Sequence, residues 1–128
     1  HKPYETPLLL KNAGVQFCLN TRIGYPHDGN IRNLPYEAMR AIAYGLNKSE
    51  ALKSITLSAA EILGVDDKVG SIDVGKDATF FISDKEPMEM SANILMAFIQ
   101  GREIDLNDRQ KILYKKYQEK YRRLGQIE

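Results

Sequence analysis

GSIDVGKD, residues Gly70 to Asp77, sets two glycines with four residues between them ahead of Lys76. That is the outline of a phosphate-binding loop. Such a loop needs a strand before it, a helix after it, and a Ser or Thr after the lysine. The helix supplies N-terminal amides and a favourable dipole. Here Asp77 follows the lysine, and its carboxylate would repel phosphates. The next segment, ATFFIS, carries Phe80, Phe81 and Ile82, which favour a strand. Within the loop, Ile72 and Val74 alternate with Ser71 and Asp73, as along a strand. The reading is therefore a strand, a turn at Gly75-Lys76-Asp77, and a second strand. Gly70, Gly75 and Lys76 become turn residues, with Gly75 supplying a positive φ.

Upstream of this loop the chain reads as helices around one strand. ETPLLLKNAG suggests a short helix ending at Gly14, with Pro7 in its first turn. VQFCLN is almost wholly apolar, the pattern of a strand covered on both faces, and Cys18 within it is expected to be buried and inert. TRIGYPHDGNIRN is a loop. LPYEAMRAIAYGL is a helix with a stop at Gly45. NKSEALKSI restarts helix on an Asn47/Glu50 capping box, and TLSAAEILG follows with Thr56 as cap and Gly64 at its end. One strand cannot make a parallel sheet, so VQFCLN needs neighbours on both edges.

Downstream, ATFFIS is a strand, and NILMAFIQGREI reads as a hairpin turning at Gln100-Gly101. Met88, Met90 and Met96 suit gaps in a core or interface. A terminal helix is expected to start from an Asn107/Gln110 capping box, with Leu113, Tyr117, Tyr121 and Leu124 at helical spacing. From Asn107 to Glu128 there are seven Lys/Arg against three Asp/Glu. The expected arrangement packs the Leu/Tyr stripe on the domain and leaves the charges in water.

The 128 residues carry a net charge of +1, which implies no strong field for nucleic acid or an anionic membrane, so neither is expected as a partner. Cys18 is the only cysteine, which excludes an intrachain disulfide. No apolar run approaches the roughly 20 residues of a bilayer span, and no signal peptide is visible. Cytoplasmic and periplasmic locations both stay open.

LSAAEILGVDDKVGSIDVGKDATFFISD, Leu57 to Asp84, resembles the C-terminal signature of the metal-dependent amidohydrolase superfamily, and more narrowly its imidazolonepropionase-like and prolidase-like branch. Ala59, Ala60, Leu63, Gly64, Gly70, Ser71, Ile72, Gly75, Lys76 and Ala78 match that pattern, while Thr79 stands where an acidic residue is usual. AFIQGREI is similar to the family's closing hairpin. The resemblance implies an α/β fragment: the last strand and helices of a (β/α)8 TIM-type barrel, then strands of a small composite β-sandwich, then a C-terminal helix. Residues 1–64 would end the barrel, 65–105 would belong to the sandwich, and 106–128 would form the basic amphipathic helix. The partner implied is the remainder of the parent chain, and an excised piece is expected to self-associate or to be partly disordered over residues 21–33.

The resemblance further implies a hydrolase of C–N bonds that activates water with zinc or another divalent metal. With only His1 and His27 in the chain, no complete metal site can be assembled, so no metal, no catalytic residue and no activity are expected of these residues alone. The family's last-strand aspartate stands in a G-T-D context, and here the matching triplet is Asn20-Thr21-Arg22. A guanidinium has no lone pair to offer a metal. The alternative is therefore a metal-less pseudoenzyme or binding protein. Loops after barrel strands line active sites, so Arg22, Tyr25, His27, Asp28 and Arg32 are the candidate substrate contacts, the arginines for a carboxylate. A solvated surface loop is the plainer reading of the same residues.

Overall fold

The computed structural model describes residues 2–21 and 28–126. Helix α1 (Lys2–Asn12) starts earlier than the sequence suggested, so Pro7 falls inside it rather than in its first turn. A 3₁₀ turn (Asp28–Asn33) runs into α2 (Leu34–Ala43), followed by α3 (Lys48–Ser54) and α4 (Leu57–Leu63). Strands β1 (Phe80–Ser83), β2 (Ile94–Ile99) and β3 (Arg102–Glu103) then precede α5 (Arg109–Arg123).

Local chemistry sets most of these boundaries. The Asn47 side chain accepts from the Glu50 N–H at 3.1 Å and starts α3. The Glu50 carboxylate does not return to close the box; it pairs with Lys11 on α1 at 2.6 Å. Gly64 ends α4 in the left-handed conformation, at φ 66°. Thr56 stands at the N-cap of α4 as expected, but its side chain makes no capping bond, because its hydroxyl donates to the Leu52 carbonyl of the preceding turn at 2.8 Å. One expected cap is corrected. Asp108, not Asn107, caps α5 by accepting from the Lys111 N–H at 2.7 Å, while Asn107 is held by Asp105.

The helices form one layer around Ala38, Ala41, Leu46, Ala51 and Met88, all buried. α1 lies on α2 through Tyr4, whose ring sits 5.3 Å from that of Tyr44 and under the Arg40 guanidinium. Residues 15–20 form no helix and pair with no strand among the described residues, but from Phe17 to Thr21 their exposure alternates as along an extended chain. Phe17 and Leu19 pack on the helical core, Thr21 is buried, and Cys18 and Asn20 are exposed. The Leu19 N–H donates to the Ser54 carbonyl at 3.1 Å, tying the segment to α3. The expectation of a buried Cys18 is thus corrected: Phe17 and Leu19 on either side of it pack on the helical core, while Cys18 itself is exposed.

The sheet is antiparallel, in order β1-β2-β3. Phe80 pairs with Phe98, their rings 5.0 Å apart. The β2–β3 turn falls at Gln100-Gly101 as expected, with φ 51° and 76°, the two positive values of a tight hairpin turn. The expected strand at Ser71–Val74 does not form; Ile72 and Val74 stand in solvent. The loop between β1 and β2 folds back onto the helices, where Met88 fills the core and Glu86 pairs with Lys48 at 2.8 Å. Met90 and Met96, expected to fill gaps, are exposed. So is the Leu113, Tyr117, Tyr121, Leu124 stripe of α5, which packs on no other described element.

Candidate functional site

The signature loop is held from both ends. Gly70, at φ 97°, lies so close to α4 that a Cβ there would come within 2.7 Å of the Ala60 Cβ and 3.0 Å of the Leu57 Cα. Alanine on α4 and glycine in the loop are thus two halves of one contact. Farther on, the Asp77 N–H donates to the Lys68 carbonyl at 2.8 Å, and the Gly101 N–H donates to the Ala78 carbonyl at 2.9 Å. These bonds tie the loop to itself and to the β2–β3 hairpin.

Lys76 is mostly buried by the loop it belongs to. Its Nζ donates to the Ser71 hydroxyl at 2.6 Å and lies 3.6 Å from the Asp73 carboxylate. Ser71 in turn donates to Asp73. That hydroxyl, helped by the Lys76 charge, holds the Asp73 carboxyl below the usual carboxylate range. Gly75, at φ 94°, makes the turn. Lysine, serine and aspartate satisfy one another, and the chain continues into β1 rather than into a helix. This is the geometry of a stapled turn.

Of the candidate substrate contacts, Arg22, Tyr25 and His27 lie outside the described residues. Asp28 opens the 3₁₀ turn, and Arg32 near its end is exposed. Thr21, at the end of the extended segment, is buried beside the helical layer. The 3₁₀ turn leads directly into α2.

Sequence reasoning missed an apolar groove of about 510 Å³ between α4 and the sheet. Leu63, Val69, Ile72, Phe80 and Phe81 are among its walls, and Ala60 and Gly70 lie at the contact just described. The signal for it was present: neighbouring Phe80 and Phe81 point to opposite faces of one strand, so both faces call for cover. A smaller polar hollow of about 210 Å³ sits by the start of the extended segment, where Gln16 donates to Glu61 at 2.8 Å. Among the described residues no three His, Cys, Asp or Glu side chains gather to hold a metal ion.

Comparison with known proteins gives one answer at three levels. The amidohydrolase family model matches residues 6–105. An imidazolonepropionase of Shewanella baltica is 48% identical over 76 residues, which is 59% of this chain and 19% of that protein. The amidohydrolase tasK of Hapsidospora irregularis is 32% identical over 72 residues, 56% of this chain and 7% of the relative. The crystal structure of an amidohydrolase from Thermotoga maritima superposes with a TM-score of 0.72 at 30% identity, covering 80% of this chain and 26% of that one. The chain thus spans a fifth or less of the curated relatives' length.

Proposed function

Because the chain belongs to the amidohydrolase family, we propose that it is the C-terminal part of a hydrolase that cleaves C–N bonds with metal-activated water. In this reading residues 15–21 are the last barrel strand and α2 to α4 are the helices that close the barrel. The β1-β2-β3 sheet is one share of a sandwich completed by the rest of the parent protein. The observation that carries the reading is this segment: Phe17 and Leu19 pack on the helical core, while Cys18 and Asn20 are exposed. A barrel strand has this two-sided environment, helices outside and the barrel interior within. The groove beside Phe80 and Phe81, and the outer edge of β1, would take strands from the same missing portion.

The described residues do not make up a metal site, so no step of the reaction is derived through one here. The metal ligands belong, in this proposal, to upstream strands. What these residues contribute is placement. The helical layer holds the extended segment through Leu19 and Ser54, and in a barrel the loop after such a strand belongs to the catalytic end. Arg22 and Arg32 are suited there to a substrate carboxylate.

The second reading is a protein of the same fold that has lost the metal, favoured by Arg22 where the family's G-T-D aspartate would stand. Metal analysis of the parent protein separates the two. At least one equivalent of tightly bound divalent metal, with amide or cyclic-amide hydrolysis abolished by a chelator, supports the hydrolase. A parent that folds without metal and hydrolyses nothing supports the second reading. The 128-residue chain alone is expected to be inactive in either case.

A further inference from the structure

Helix α5 stands apart from every other described element, and its residues sort by angle. At about 100° per residue, Leu113, Leu124, Tyr117, Tyr121 and Tyr114 fall within an arc about 100° wide, in which Gln110 is the one polar side chain. All five are exposed. Lys120 and Arg109 border one margin of that arc, and Lys111 and Arg122 border the other. The helix carries seven basic side chains and a single acidic one. That one, Glu119, lies on the opposite pole, paired with Arg122 and Arg123. Lys120 sits 5.9 Å from the ring centres of both Tyr117 and Tyr121, so its charge stays beside the aromatic arc.

We propose that α5 docks on an anionic lipid surface, lying flat with the Leu/Tyr arc at the headgroup level. The argument is charge complementarity joined to shape. A basic groove-binder puts its cations on the contacting face. Here the contacting face is apolar and the cations flank it on both sides, so all of them approach the partner together only if it is a broad plane. Tyrosines suit that depth, with rings in the apolar boundary and hydroxyls in water. The inference is independent of the hydrolase reading, and it sets aside the sequence-based expectation of no membrane partner.

The test is co-sedimentation of the full chain with vesicles of phosphatidylcholine alone and of phosphatidylcholine with about 30% phosphatidylserine. At least tenfold tighter binding to the anionic vesicles is expected. A tenfold or greater loss is expected in 0.5 M salt, because surface charges are screened. Tyr114→Ser, Tyr117→Ser and Tyr121→Ser together keep the charge and are expected to weaken binding at least fivefold, with the helix checked by circular dichroism. A single exposed variant, Tyr117→Ser, reports in the same direction should the triple variant fail to fold. Equal binding to both vesicles, or binding untouched by the tyrosine variants, overturns the proposal. So does a dimer that the tyrosine variants dissociate, since a second copy would then own the arc. Binding by this chain but not by the longer parent protein also overturns it, because the parent would then cover the helix itself.

Discussion

The helical layer and the small sheet are built from the same kinds of apolar residues, yet only the first closes on itself. Ala38, Ala41, Leu46 and Ala51 are buried by their neighbours. In the sheet no residue is fully buried, and Phe81, Ile82, Leu95 and Ile99 all remain exposed. The difference is one of partners rather than composition. Helices α1 to α4 have another helix or the Met88 loop against them, whereas the sheet has the groove on one side and, among the described residues, an unpaired β1 edge. Apolar surface left in water forgoes about 25 cal/mol per Å² of stabilisation. A sheet with this sequence is made to be covered.

The joint between the two regions is where a single substitution separates them most sharply. Gly70→Val drives a side chain into Ala60 and Leu57 and forces a β-branched residue to positive φ. A loss of about 2–5 kcal/mol in urea unfolding is expected, from overpacking together with backbone strain. Gly75→Ala is the control: it shares the positive φ but meets nothing within 4 Å, so a loss of about 1–2 kcal/mol is expected. Equal effects at the two positions would show that the α4 contact does not matter.

Met88→Ala removes the one side chain by which the sheet's connecting loop enters the helical core. A loss of about 2–3 kcal/mol is expected. Phe81→Ala should cost different amounts in the two contexts. In the 128-residue chain, where Phe81 is 46% exposed, the loss is expected to stay below about 1 kcal/mol. In the longer parent protein it should rise to about 3 kcal/mol, the value for a buried phenylalanine. A large loss in the short chain would mean that the sheet is already covered.

How much of this was legible depends on whether the decision was local. Gly64, Asn47 and the Gln100-Gly101 turn act within a few residues of themselves, and the sequence exposed each of them. The lysine of GSIDVGKD could be recognised as part of a turn because the residue after it and the strand beyond it are also local. VQFCLN was different. Its apolar run was visible, but among the described residues it finds no strand to pair with, and Cys18 is left exposed. Ser71–Val74 failed as a strand where Ser71, Asp73 and Lys76 bond to one another in a turn. Asn107 lost the cap to Asp108 by one position, since Asp105 engages the asparagine. Of the candidate site, Arg22, Tyr25 and His27 are outside the described residues, and Arg32 is an exposed cation near the end of the 3₁₀ turn that precedes α2.

The smallest effect concerns pH. The Asp84 carboxyl is held below the usual carboxylate range, first by the Asn93 side-chain amide and then by the Asn93 N–H. A depressed carboxylate contributes stability above its unfolded value and loses it as pH falls through the folded one. Hydrogen-exchange protection at Asn93 is therefore expected to drop on acidification below about pH 4, while protection at Leu46 in the helical core persists. Simultaneous loss at both would mean that the two regions unfold as one.

Cys18 offers the most direct test of the claim that these residues close a larger barrel. It is exposed on the uncovered face of the extended segment, and peptide mass mapping after maleimide treatment reads its accessibility. Rapid labelling in the 128-residue chain and strong protection in the longer parent protein are predicted. Slow labelling in the short chain, or equally rapid labelling in both, would contradict the account.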